Sequence, residues 1–202
     1  MGNSAGPTRW DEAMSGWQSN FVPSLTQLRC QRSGLLALVG RRLQAGWIGW
    51  ELERDLWQPV IPLVLVFDGG VQLELAWRGW DDLSITWNTI DLRTRPEILG
   101  RPHEWRSSHP QPLAAVAGRV LTGWAVTESP YFQGGADLSG ALPMDAVAGW
   151  FPQGLWIEFA DIGVHLYSTD SNGISNKPVQ PSDDGHTRVT HLPLPEDDAH
   201  TA

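Results

Sequence analysis

The run "LVLVFDGGVQLELAW", residues 63 to 77, constrains the fold more than any other stretch. Two alternating apolar segments flank Asp68-Gly69-Gly70, and glycine supplies the positive φ that a tight hairpin turn needs. Side chains alternate across a strand, so Leu63, Leu65 and Phe67 share one face, and Val71, Leu73 and Leu75 share one face of the return strand. Gln72 and Glu74 are then expected to point outward to solvent. A second run, "GLWIEFADIGVHLYS", repeats the pattern: Leu155, Ile157 and Phe159 line one face, Asp161 and Gly163 fall in the turn, and Val164 and Leu166 return.

A further echo precedes each hairpin. "SGLLALVGRRLQAGW" and "QPLAAVAGRVLTGW" both read as a short helix, a glycine and a strand. Ser33 is placed to cap the first helix and Gly40 to end it; Pro112 opens the second and Gly118 ends it. Arg41 and Arg119 then stand as strand-entry residues rather than catalytic ones. The strands that follow are rich in Trp, Val, Ile and Leu without helical periodicity. "LSITWN" follows the first hairpin and "DSNGISN" the second. The expected fold is α+β and pseudo-symmetric, two αβββ-like halves with mainly antiparallel strands around one core.

The boundaries follow from composition shifts. Residues 1–23 mix Gly, Ser, Asn and charge and read as a flexible N-terminal segment; residues 24–178 form the single domain. Its first half spans 24–91, a Pro-rich polar connector laid over the surface spans 92–111, and the second half spans 112–178. The Pro- and Asp-rich segment 179–202 reads as a flexible acidic tail, although "TRVTHL" within it alternates well enough to add an edge strand. The halves differ most at 129–150, a Gly-rich insertion between a strand and a hairpin, where function or tolerated drift concentrates.

Charge and cysteine content narrow the function classes. With 202 residues and 41% hydrophobic content the chain can bury an ordinary core. Cys30 is the single cysteine, which excludes an internal disulfide framework and favours a reducing compartment. The N-terminus lacks a secretory pattern and no run is long and apolar enough to span a bilayer, so a cytoplasmic protein without a membrane partner is expected. The net charge of −9 argues against a nucleic-acid surface and suits a basic protein partner.

Catalytic and metal motifs are sparse. His103, Glu104 and His109 in "HEWRSSH" lack the one-turn spacing that puts two histidines on one ion. "DSNG" imitates part of a calcium loop without its bidentate acid and reads better as an Asn-Gly turn. There is no phosphate-binding glycine loop and no G-x-S-x-G elbow, and Cys30 has no neighbour to lower its pKa. No metal and no cofactor is expected. Asp81, Asp82 and Asp91 flank "LSITWNTID" and would act as a hydrolytic carboxylate pair if a cleft held them at the right separation; acidic residues at strand ends are usually solvated, and that reading is preferred.

Tryptophan is the compositional anomaly, 12 residues against 2 Tyr and 5 Phe. Trp50, Trp77, Trp80, Trp87 and Trp156 fall in or beside strands, and Trp156 alternates away from Leu155 and Ile157. Exposed, such a row stacks on sugar rings or forms an interaction hot spot; buried, it covers the second face of a sheet. The expected binding set is Trp77, Trp80, Asp81, Asp82, Trp87, Asp91 and Trp156, with no catalytic residue assigned.

Taken together, "LVGRR", "VFDGGVQLEL", "DDLSITWNTID" and "LAAVAGR" resemble a group of uncharacterised bacterial proteins, mostly from GC-rich actinobacteria, over residues 33 to 178. That resemblance implies no catalytic residue, because none is established there. In type, a small acidic cytoplasmic chain is also similar to the immunity proteins of bacterial toxin systems. The expected function is a non-enzymatic cytoplasmic binding protein, an immunity-type inhibitor of a basic toxin. A small-molecule or carbohydrate-binding domain using surface Trp is the alternative, and a hydrolase using the Asp carboxylates the third.

Overall fold

A computed structural model describes residues 17–98, 101–107, 111–132, 144–168, 172–177 and 187–192. The fold is α+β: two helices among the described residues and mostly antiparallel strands in two sheets. Helix α1 (Ser24–Ala37) follows a short strand β1 (Val22–Pro23), and the chain then runs through β2 (Leu43–Glu51), β3 (Leu56–Trp57), β4 (Leu63–Phe67), β5 (Gln72–Arg78) and β6 (Asp82–Trp87). β7 (Glu97–Ile98) and β8 (Arg101–Arg106) lead to α2 (Gln111–Val116). The second sheet is built from β9 (Gly123–Phe132), β10 (Val147–Phe159), β11 (Ile162–Ser168), β12 (Asn172–Ser175) and β13 (Arg188–His191).

The first sheet runs β1-β6-β5-β4-β2-β8-β7 with β3 on β2, and the second runs β12-β11-β10-β9-β13. Each helix therefore precedes a four-stranded meander, β2-β4-β5-β6 and β9-β10-β11-β12, one strand more per half than the αβββ pattern. The glycines act as expected: Gly40 and Gly118 take φ of +88° and +81° just past the helices, which a residue with a Cβ adopts only under strain.

The two Gly-Arg segments then bond to each other. Arg42 and Val120 form an antiparallel bridge. Gly40 N donates to Leu121 O and Gly118 N to Leu43 O, while Leu43 N donates to Arg119 O and Leu121 N to Arg41 O. Exchanging Gly40, Arg41 and Leu43 for Gly118, Arg119 and Leu121 turns each bond of this seam into another. Outside the seam the halves diverge, with helices of 14 and 6 residues and sheets of 8 and 5 strands.

One joint core fills the space between the sheets. Leu35, Leu43, Leu65, Phe67, Leu75 and Ile85 from the first half meet Leu113, Trp124, Leu155, Ile157, Phe159 and Val164 from the second. Trp124 Nε1 donates to Leu35 O at 2.9 Å, tying β9 to α1. On the far side of the seam Asn172 joins the sheets: its Oδ1 accepts from Trp77 N at 2.9 Å, its Nδ2 donates to Ile61 O at 3.0 Å, and its own N donates to Pro59 O. Asn172 and Gly173 therefore belong to a strand rather than to the Asn-Gly turn expected from sequence.

The first sheet has a second covered face. Trp17, Ile61, Val64, Ala76 and Ile90 form a smaller core there, with Phe21, Trp47 and Trp105 packed on it. Trp17, from the segment expected to be loose, is buried and donates to Thr86 Oγ1 at 3.0 Å. Glu74 lies under this layer instead of facing solvent. Its carboxylate accepts from Gln72 Nε2, Thr86 Oγ1, Thr89 N and Oγ1, and Ile90 N, so the loop after β6 closes over it.

Two further expectations are corrected. α1 begins at Ser24, not Ser33, because residues 24–35 pack Leu28 and Leu35 on the sheet. Gly34, inside the helix, makes room for the Trp87 ring, whose Cζ2 would lie 2.7 Å from an added Cβ. The connector supplies β8, paired with the second half of β2 through Ile48–Arg106 and Glu51–His103. In the C-terminal segment Arg188–His191 do form an edge strand on β9.

Asn172→Ala is expected to destabilise the fold by about 2–4 kcal/mol, since it strands the Trp77 N–H and the Ile61 carbonyl in the interior. Urea unfolding followed by Trp fluorescence checks this, with Asn176→Ala, at an exposed position, as the neutral reference.

Candidate functional site

The residues singled out in the sequence are scattered by the fold. Trp77 is 5% exposed and belongs to the joint core. Trp87 is half-buried, lies on Gly34 and donates to Gln31 Oε1 at 2.8 Å. Asp81 anchors the start of α1, its O and Oδ1 both accepting from Ser24 N, and Asp82 pairs with Arg78 at 3.1 Å. Trp80, between them and Gly79, is 58% exposed on the β5–β6 turn.

Asp91 sits past the other end of β6. It accepts from Arg93 N and pairs with Arg93 Nε at 3.1 Å, and the backbone bond first, then the guanidinium, holds its carboxyl below the usual range. Asp81, Asp82 and Asp91 thus take three different partners, Ser24, Arg78 and Arg93.

The histidine motif does not converge. His103 is buried in β8 with Nδ1 at 2.9 Å from Arg101 O, while Glu104 pairs with Arg106 at 2.6 Å. Neighbours on a strand point to opposite faces. His109 lies outside the described residues. Among the described residues no three His, Cys, Asp or Glu side chains stand where they would share a metal ion.

Trp156 is different, because it lies on the outer face of the second sheet. Leu155, Ile157 and Phe159 turn into the core, so alternation turns Trp156 and Glu158 away from it. Antiparallel pairing sets Trp156 opposite Ala125 and His165, and Glu158 opposite Gly123 and Gly163. The glycines are the reason flat side chains fit here. The Trp156 ring covers Gly163, Tyr167 covers Gly173 and the Glu158 carboxylate covers Gly123, leaving no space for a Cβ at any of the three. His165 stacks on Tyr167 with ring centres 5.0 Å apart.

Beside Trp156 the surface sinks into a depression of about 530 Å³ lined by Thr122, Trp156, Glu158, Asp161, Gly163 and Asn176. Ala160, at φ +51°, and Asp161 form the β10–β11 turn; Gly163, expected in that turn, lies within β11. Thr122 Oγ1 accepts from Ala160 N at 3.1 Å and fixes the turn against the seam. Arg119 Nη1 holds Asp161 Oδ1 at 2.6 Å, and His191 Nδ1 lies 3.4 Å from Glu158 Oε1. The seam residue Arg119 thereby orients one wall.

Sequence reading reached Trp156 by its alternation and missed Glu158, two residues on, although the same period exposes it. Thr122 and Asn176 carry no local signal; only the sheet order brings them to β10. No known protein family, curated protein or solved structure matches the chain.

On the same face His165 is half-buried. Burial lowers its pKa to about 4 from 6.5, and its Nε2 lies 2.9 Å from Thr127 Oγ1. The unfolded chain binds a proton below about pH 6.5 that the folded one refuses until about pH 4, so stability falls as pH drops through that window. A ¹³C-edited NMR titration is expected to show the His165 ring neutral at pH 5.5, and His165→Gln should flatten the pH dependence of Tm between pH 6.5 and pH 4.

Proposed function

We propose that this chain is a non-enzymatic binding protein of the immunity type, and that it meets a basic protein partner with the outer face of its second sheet. The observation that carries the reading is the depression at Trp156, in which two carboxylates, Glu158 and Asp161, border an aromatic surface. A net charge of −9 favours approach of a basic partner over long range. A half-buried Trp with charged neighbours is also the residue type that dominates interface energetics. In this reading a cytoplasmic location follows from the target, a toxin met inside the cell.

A second reading is carbohydrate binding, favoured by one specific observation. The Trp156 ring lies flat over Gly163 with the polar groups of Glu158, Asp161 and Asn176 around it, and a flat ring bordered by planar acceptors suits a sugar. Saturable changes in Trp156 emission across a panel of neutral sugars, with no protein partner found, would favour it.

The test of the first reading is co-expression with the product of the neighbouring gene, followed by affinity purification. The double charge reversal Glu158→Lys with Asp161→Lys is expected to weaken the complex by about 2 kcal/mol or more, roughly 30-fold, because like charges then face each other. Circular dichroism should show the variant folded. Wild-type co-purification by the reversed variant would overturn the assignment of the face, and substrate turnover without any partner would overturn the class.

A further inference from the structure

We propose that the depression at Trp156 is a pocket for an organic cation, a guanidinium or primary ammonium group seated on the indole and flanked by Glu158 and Asp161. The proposal deepens the interface reading above by naming the chemical group that the partner inserts.

Three observations support it. The first is the wall chemistry: among the described residues lining the depression are two carboxylates and an amide, and no Lys, Arg or His. Acceptors around an aromatic face select a donor that carries positive charge.

The second is how the chain treats its other aromatic faces. Arg188 lies 3.7 Å above the Trp150 ring, Arg106 4.5 Å above Trp50 and Arg78 4.4 Å above Phe21. Trp150 belongs to the same strand as Trp156. Among the described residues no arginine of the chain covers Trp156, so its ring is the half-buried face on β10 left for a cation from outside.

The third is the conduct of Asp161. It already holds one guanidinium, Arg119, at 2.6 Å through Oδ1 and is 77% exposed, which leaves Oδ2 for a second donor. Glu158, with His191 at 3.4 Å on Oε1, offers Oε2 beside Gly123. Both carboxylate residues line the same depression as the indole. A volume of about 530 Å³ takes a whole arginine or lysine side chain rather than its tip alone.

The experiment uses the intact ¹⁵N-labelled protein at low salt, with the Trp156 indole resonance assigned by Trp156→Phe. The probes are N-acetyl-arginine methylamide, its neutral citrulline analogue, spermidine and a neutral disaccharide. Saturable movement of the Trp156 resonance by the arginine probe is expected, with the citrulline analogue at least about tenfold weaker. Glu158→Gln with Asp161→Asn should cost about tenfold or more, and the conservative Trp156→Phe, read by calorimetry, should cost less than Trp156→Ala.

Tighter binding of the arginine probe than of spermidine assigns the cation to a protein side chain; the reverse order assigns it to a free polyamine, and either supports the pocket. Equal response to arginine and citrulline, or saturation by the disaccharide alone, overturns it, as does a silent Trp156 resonance with every probe. The outcomes separate from those of the interface reading. A silent pocket with the neighbouring gene product still captured removes this proposal alone, whereas a cation response without any basic partner removes the interface and leaves the pocket.

Discussion

The short antiparallel seam between residues 40–43 and 118–121 is the contact on which the rest of the molecule depends. Its hydrogen bonds are few, yet they fix where the first strand of each meander starts relative to the other. Everything downstream inherits that offset: Phe67 and Phe159 reach the same core, and Asn172 arrives where it can bond both Trp77 and Ile61. Positive φ at Gly40 and Gly118 makes the helix-to-strand corner possible, because only there can the chain leave a helix and pair at once. A slip of one residue at the seam would turn every core side chain of a meander outward.

The two sheets differ in what they leave to solvent, and that difference places the candidate site. Around β4 and β5 the first sheet is covered on both faces, by the joint core and by the smaller cluster under Trp17 and Ile90. Most of the tryptophans near it are spent on packing, including Trp77 in the core and Trp87 against Gly34. The second sheet contributes one face to the core. Its other face carries Trp156, Glu158, His165 and Tyr167, laid over glycines that act as recesses. Arg119 joins the two themes, entering the strand from the seam and orienting Asp161 on the rim.

Local pattern and long-range structure divide unevenly among particular residues. The β4–β5 and β10–β11 hairpins were legible because alternation, joined at β4–β5 by turn glycines, is a property of a dozen consecutive residues. Glu74 was misplaced because period 2 specifies a face, not what later covers it; here a loop fifteen residues on supplies the donors that make burial tolerable. β8 was hidden by Pro102, which reads as a loop breaker yet is tolerated in a short strand beside β7. The start of α1 was missed because its first turns use Thr, Gln and Arg and carry little periodic signal. Asp81, Asp82 and Asp91 flank β6 in sequence, and the fold gives each a different partner, Ser24, Arg78 and Arg93.

By itself the sequence determined the class of fold, α+β with two hairpins and two helix-ending glycines, and the candidacy of Trp156. Those are short-range facts, encoded by side-chain period and by the conformations glycine alone adopts freely. The tertiary structure decided that the Gly-Arg phrases pair with each other, that Trp17, Trp77 and Trp124 pack inside, and that Thr122, Glu158, Asp161 and Asn176 gather beside Trp156. These depend on strand order and register, which are set by contacts between residues far apart in the chain and leave no imprint on any local window.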